Sequence, residues 1–165
     1  MKNFYFLLIA AIFSVSSFAQ TEGASKIYGY KQRVMPGVVR VDQNGREIPR
    51  KPQYNYFIYL ASSSKVTPVE IWLNGEAYSP ITNEVLKTPV EYNHPTSGGN
   101  TKILVPKTTR MVLQLSPSLN KVQKASNKGK TLAGKNELVI IYKSSGKQYY
   151  KTVSKLSELE HLAMQ

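Results

Sequence analysis

Side chains able to do chemistry are few in this chain, and the missing types exclude whole reaction classes. There is no cysteine, so a thiol nucleophile and a sulfur-ligated zinc are both ruled out. Asp42 is the single aspartate, and the two histidines, His94 and His161, fall in a loop and in the terminal tail. A Ser-His-Asp relay would have to use these few groups, and no Gly-x-Ser-x-Gly elbow is present. Neither a His-Glu-x-x-His helix nor an acidic calcium loop occurs. Glu70, Glu76, Glu84 and Glu91 are the carboxylates available for paired acid and base work on a glycoside. They alternate with apolar residues in extended segments, so they are expected to face solvent. Gly98-Gly99 leads into a strand, whereas a phosphate-cradling loop needs a helix start. The expectation is no catalytic residue, no metal and no cofactor.

Charge offers more. The net charge is +12, and it is unevenly spread. Between Gln20 and Thr101 nine basic residues face seven acidic ones, while between Lys102 and Lys155 twelve basic residues, eleven of them lysine, face Glu137 alone. Lys121, Lys124, Lys128, Lys130 and Lys135 crowd the connection between two strands, and Lys143, Lys147, Lys151 and Lys155 follow on a hairpin. Such a field draws in anions and speeds encounter with them. The partner it suits is an acidic envelope component, such as lipid headgroups, lipopolysaccharide phosphates or cell-wall polymers, or an acidic protein. The same lysines also make a solubilising coat. Nucleic acid fits less well, because arginine reads base edges and grips phosphate bidentately and this region is almost all lysine.

Aromatic residues suggest a second kind of binding. Trp72 and the adjacent Tyr149 and Tyr150 are the best members of a stacking platform for sugars, since such rings join a broad apolar face to a polar tip. Tyrosines alternating in strands also serve as half-buried packing residues.

These side chains need elements to hold them, and the chain opens with a segment that is an address. Met1-Lys2-Asn3 is a short positive start, Phe4 to Phe13 is an apolar run, and Ser17 and Ala19 are small residues placed for cleavage before Gln20. That is the build of a secretory signal peptide over residues 1–19, and the run is too short for the ~20 residues of a membrane span. Residues 20–165 then form one domain, exported to the periplasm or beyond.

Strands dominate that domain. Tyr54 to Ala61 reads as a central strand with two apolar faces. Val69 to Leu73 runs into Asn74-Gly75, a dipeptide suited to a two-residue hairpin turn, with Glu76 to Tyr78 returning. Asn44-Gly45 gives a second such signal. Glu137 to Lys143 and Gln148 to Val153 face each other across Ser144 to Lys147. Ile27 to Tyr30, Val85 to Tyr92, Lys102 to Val105 and Met111 to Leu115 are further strands. Ser116-Pro117 starts a short helix that closes before Asn127, and Ser157 with Glu160 forms a capping box for a C-terminal helix. The expected class is all-β: a single antiparallel β-sandwich, immunoglobulin-like, with a short C-terminal helix. A small antiparallel barrel is the alternative. Tyr56, Ile58, Ile71, Leu113, Val139 and Ile141 are expected in the core.

The function these features point to is a non-enzymatic exported accessory or binding module of a bacterial cell envelope, with the lysine-rich region meeting an anionic partner. Peripheral membrane contact fits such a module. A carbohydrate-binding module using Trp72, Tyr149 and Tyr150 is one alternative; a small exported enzyme or enzyme inhibitor is another. Oligomeric state stays open.

Overall fold

The computed structural model describes residues 25–35, 40–48, 52–93 and 101–163. The expected signal segment, His94 and Gly98-Gly99 lie outside these. Ten strands and one helix follow in chain order: β1 (Lys26–Met35), β2 (Gln53–Ser62), β3 (Thr67–Leu73), β4 (Glu76–Glu84), β5 (Val90–Asn93), β6 (Thr101–Val105), β7 (Met111–Lys121), α1 (Asn127–Ala133), β8 (Leu138–Ser144), β9 (Lys147–Val153) and β10 (Ser157–Ala163). The all-β class holds.

Eight strands share one hydrogen-bonded sheet in the order β10-β1-β2-β7-β4-β3-β8-β9, and β5 with β6 forms a separate ribbon. The two separately bonded sheets of an immunoglobulin-like sandwich are not seen. Instead the eight-stranded sheet curls. Although four strands lie between β1 and β8 in that order, Ser25 Oγ lies 2.5 Å from Tyr142 Oη and Lys31 Nζ lies 2.7 Å from Glu137 Oε1. A side chain on Gly29 of β1 would meet Leu156 Cδ2 at 2.5 Å and Leu138 Cδ2 at 3.2 Å. A side chain there would press on these two buried leucines, so glycine eases the approach of β1 to β8.

Strand alternation sorts the side chains onto the two surfaces of the curl. Ile58, Leu60, Ile71, Leu73, Leu113, Leu115, Leu138, Ile140 and Tyr142 point inward and form the central core. Tyr59, Ala61 and Val112 point outward, where Leu104 and Val105 of β6 and Leu159 of β10 cover them. Trp72, Val139 and Ile141 also point outward, under Ala133 and Leu132 of α1. Of the expected core, Ile58, Ile71, Leu113, Val139 and Ile141 are buried and Tyr56 is half-buried against it. The double burial of β2, β3 and β8 explains why they are apolar on both faces.

Turn chemistry follows the sequence closely. Asn74 and Gly75 have φ of 51° and 84°, Ser145 and Gly146 have 49° and 76°, and each pair closes a two-residue hairpin. At Asn44-Gly45 the flanks meet through one bridge, Val41 to Glu47, and Asp42 Oδ1 accepts from Asn44 N and Arg46 N. Asp42 is thus a turn residue.

Three expectations are corrected. The helix expected from Ser116 is the second half of β7, which pairs with β4, Pro117 facing Pro80 across the ladder. A bonded neighbour outweighed the local helix signal. The helix begins later, with Ser126 as its cap: the Ser126 hydroxyl accepts from Gly129 N at 3.2 Å. The C-terminal capping box is no helix either, because Ser157–Ala163 pairs with β1 and supplies the backbone partners its outer edge would lack. That pairing is parallel, so the sheet is not purely antiparallel.

Candidate functional site

Four of the expected lysines gather around α1. Lys128 and Lys130 lie on the helix, Lys124 precedes it and Lys135 follows it, and all four are exposed. Beneath them α1 sits on the outer surface of β3 and β8. Its seat is chemically specific: Trp72, 4% exposed, donates from Nε1 to Glu70 Oε2 at 2.9 Å, and Ser126 N donates to both Glu70 oxygens at 3.2 Å. The Glu70 carboxylate therefore joins the sheet to the start of the helix, where the helix dipole favours a negative group. Lys128 Nζ stands 4.3 Å from the centre of the Tyr150 ring.

The remaining lysines are dispersed. Lys121 is exposed at the end of β7 and pairs with Glu76 Oε1 at 2.7 Å. Lys143 is exposed on β8, and Lys147 is exposed at the hairpin tip opposite Ser144. Lys151 is half-buried and shares the inward alternation of Tyr149 and Val153, so it stands apart from the α1 group.

The three aromatic candidates do not share one exposed face. Trp72 is roofed by α1. A Cβ at Gly129 would lie 2.5 Å from its Nε1. Tyr149 points inward and stacks on Tyr142, with ring centres 5.6 Å apart and planes at 20°. Tyr150 points outward beneath Lys128. Tertiary packing has used these rings, and adjacent residues of a strand had to take opposite faces.

Charges are segregated along the curled sheet. At one end Lys31 Nζ reaches Glu137 Oε1 at 2.7 Å and Glu158 Oε1 at 3.3 Å, and Glu137 Oε2 also accepts from Leu156 N at 2.8 Å. The hydrogen bond to Glu137 is the main reason the Lys31 pKa is raised above its ordinary value. Glu76 pairs with Lys121 at this end too. The register brings Lys26, Lys65, Arg110, Lys143 and Lys147 to the opposite end, where β1, β3, β7 and β9 begin and β2 and β8 finish. Glu84 is the only carboxylate on the described strand ends and turns there.

That basic end holds an open cleft of about 480 Å³, lined by Ser62 to Lys65 from the β2–β3 turn and by Thr109 to Met111 at the start of β7. Lys65 and Arg110 were not among the residues expected from sequence. The run Ser62-Ser63-Ser64-Lys65 was the available signal, three hydroxyls followed by a cation. Its partner segment lies far away in the chain, so only the sheet register brings the two together.

Among the described residues no helix is long and apolar enough to cross a membrane, and no three acidic or histidine side chains group as a metal site. No protein family, curated protein or solved structure matches this chain.

Proposed function

We propose that this chain is a non-enzymatic binding module exported to a bacterial cell envelope, and that its cationic surface engages an anionic partner there. One observation carries the reading: the nearby carboxylates are already committed elsewhere. Glu70 is buried between Trp72 and Ser126, Glu137 serves Lys31 and Leu156, and Glu76 serves Lys121. Among the described residues, Lys124, Lys130, Lys135 and Lys143 make no ion pair, and they leave an uncompensated positive field around α1 and the neighbouring hairpin. Exposed ammonium groups without partners keep their full attraction for external anions, which salt then screens. The curled sheet is read as a small barrel rather than an immunoglobulin-like sandwich, because one hydrogen-bonded sheet runs through all eight strands.

The test is to change Lys124, Lys130, Lys135 and Lys143 together to glutamine. Stability should stay within ~0.5 kcal/mol per site, as for other exposed positions. Binding to phosphatidylglycerol-containing vesicles should weaken by ~1 kcal/mol per lysine, and wild-type binding should fall steeply with added salt. Equal binding by the variant, or indifference of the wild type to such vesicles at low salt, would reduce the lysines to a solubilising coat.

A further inference from the structure

The sheet register gathers four connections at the basic end of the curl. The end of β2 and the start of β7 meet there through Ser62 and Met111, and Val85 N donates to Val112 O at 2.9 Å, so the chain leaving β4 emerges beside them. Thr88 Oγ1 donates to Thr108 O at 3.0 Å and accepts from Thr108 N at 3.1 Å, which ties the β4–β5 and β6–β7 connections together. Ser144 Oγ donates to Lys65 O at 3.3 Å, which ties the β8–β9 hairpin to the β2–β3 turn. These connections and the strand ends beside them carry exposed lysines: Lys65, Lys87, Lys107, Lys143 and Lys147. Among the described residues none of their ammonium groups makes an ion pair or a hydrogen bond. Leu86 stands in the same place, 90% exposed and outside all three core clusters.

We infer that this end of the protein docks on an anionic membrane, with Leu86 entering the headgroup boundary and the lysines around it meeting lipid phosphates. The inference rests on the reading of an anionic envelope partner and names that partner as a lipid surface. Two forces of different range act. The ammonium groups attract the surface over about a Debye length, ~10 Å at 0.1 M salt. Glu76, Glu137 and Glu158 lie at the opposite end, so an approaching anionic surface turns the lysine end toward itself. Glu84, the one carboxylate on the described strand ends and turns at the basic end, leaves the field there positive. At contact Leu86 leaves water, which is favourable only where the partner offers an apolar phase. Lysine stems lie along such a boundary while their heads stay with the phosphates. A soluble acidic polymer satisfies the lysines but gives Leu86 nothing, and this difference selects the membrane.

Phosphatidylcholine nanodiscs with and without phosphatidylglycerol, each doped with a nitroxide-labelled lipid, show which part of the chain faces the bilayer. With phosphatidylglycerol the amide signals of Ser64, Leu86, Lys87, Lys107 and Ser145 should broaden more than those of Asn127 to Ala133, and pure phosphatidylcholine should broaden neither set. Affinity for phosphatidylglycerol-containing vesicles is the second measurement. Leu86→Ser should weaken binding about tenfold, the loss for partly burying one leucine, and by the same factor as salt is raised. Leu119→Ser, an equally exposed leucine toward the far end of β7, should change nothing. Lys65→Gln, Lys87→Gln, Lys107→Gln and Lys147→Gln together should weaken binding several hundredfold at low salt, at roughly fivefold per lysine, and by less as salt is added. Broadening confined to Asn127 to Ala133 makes α1 the docking face, so this inference falls and the surface reading stands. Broadening at the basic end, with vesicle binding unchanged by Lys124→Gln, Lys130→Gln and Lys135→Gln, keeps this inference and overturns the α1 reading. Vesicle binding indifferent to Leu86→Ser, or lysine-dependent binding to soluble polyglutamate with no response to the discs, overturns the membrane in favour of an acidic protein or polymer. No response to discs, vesicles or polyglutamate ends both readings.

Discussion

Replacing Gly129 by alanine sets two physical effects of opposite sign against each other. Within a helix the change should stabilise by ~1 kcal/mol, since glycine is among the poorest helix formers. Gly129, however, is the point at which α1 touches the sheet. The added Cβ would lie 2.5 Å from Trp72 Nε1, 2.8 Å from Trp72 Cε2 and 2.9 Å from Ile141 Cδ1. Neither neighbour can yield easily, because Ile141 is fully buried and the indole is held by its bond to Glu70. Overpacking of this kind costs ~1–3 kcal/mol, and lifting the helix to relieve it stretches Ser126 N away from Glu70, another ~1 kcal/mol. The steric effect wins, and we expect a net loss of about 1–3 kcal/mol. In urea denaturation the midpoint should fall by roughly 1 M, given a slope of ~1–3 kcal/mol per molar. Trp72 is the only tryptophan, so its fluorescence should also move toward that of a wetter indole. Gly134→Ala is the control. Gly134 has φ −66° and its nearest neighbour, Thr131 O, would stand 3.5 Å from the new Cβ, so stability should hold or rise by up to ~1 kcal/mol. A Gly129→Ala protein as stable as wild type would refute the seating of α1 on Trp72.

Two further outcomes follow from buried and paired groups. Glu70→Leu leaves Trp72 Nε1 and Ser126 N without their acceptor and should cost about 2–5 kcal/mol in thermal unfolding, whereas Glu70→Gln keeps one acceptor oxygen and should cost less; equal losses would show that charge rather than hydrogen bonding matters there. In alkali, the Tyr78 hydroxyl is pushed from 10.0 up to about 12, first by its hydrogen bond to the Glu76 carboxylate and then by desolvation. The folded state therefore holds this proton more tightly than the unfolded chain does, so the stabilisation is complete below pH 10 and is lost as pH rises through about 12. Raised values at Tyr30, Tyr56 and Tyr59, each chiefly from burial, act in the same direction. Denaturant midpoints measured across this window should fall, and Tyr78→Phe should flatten the fall; a midpoint independent of pH there would contradict the pairing with Glu76.

Local chemistry was legible in the residues alone. Asn74-Gly75 and Ser145-Gly146 announce their hairpins because positive φ is tolerated by few residue types, and alternation in Tyr54 to Ala61 and Leu138 to Lys143 announces strands with two buried faces. The excess of lysine over acid in the second half is likewise plain from the sequence, and with it the class of partner proposed. Local signals misled where a distant strand offered a better partner: Ser116-Pro117 and Ser157 to Glu160 carry helix-start chemistry, yet the free edges of β4 and β1 recruited both segments into the sheet. The fates of individual side chains were also beyond the sequence. Trp72 looks like a binding residue until α1 covers it, Glu137 looks like an isolated acid until the curl brings Lys31 to it, and Lys65 and Arg110 become neighbours only through the pairing of β2 with β7. The physical reason is common to all of these: periodicity and turn geometry act over a few residues, while burial, ion pairing and cleft formation depend on which distant segments the sheet register sets side by side.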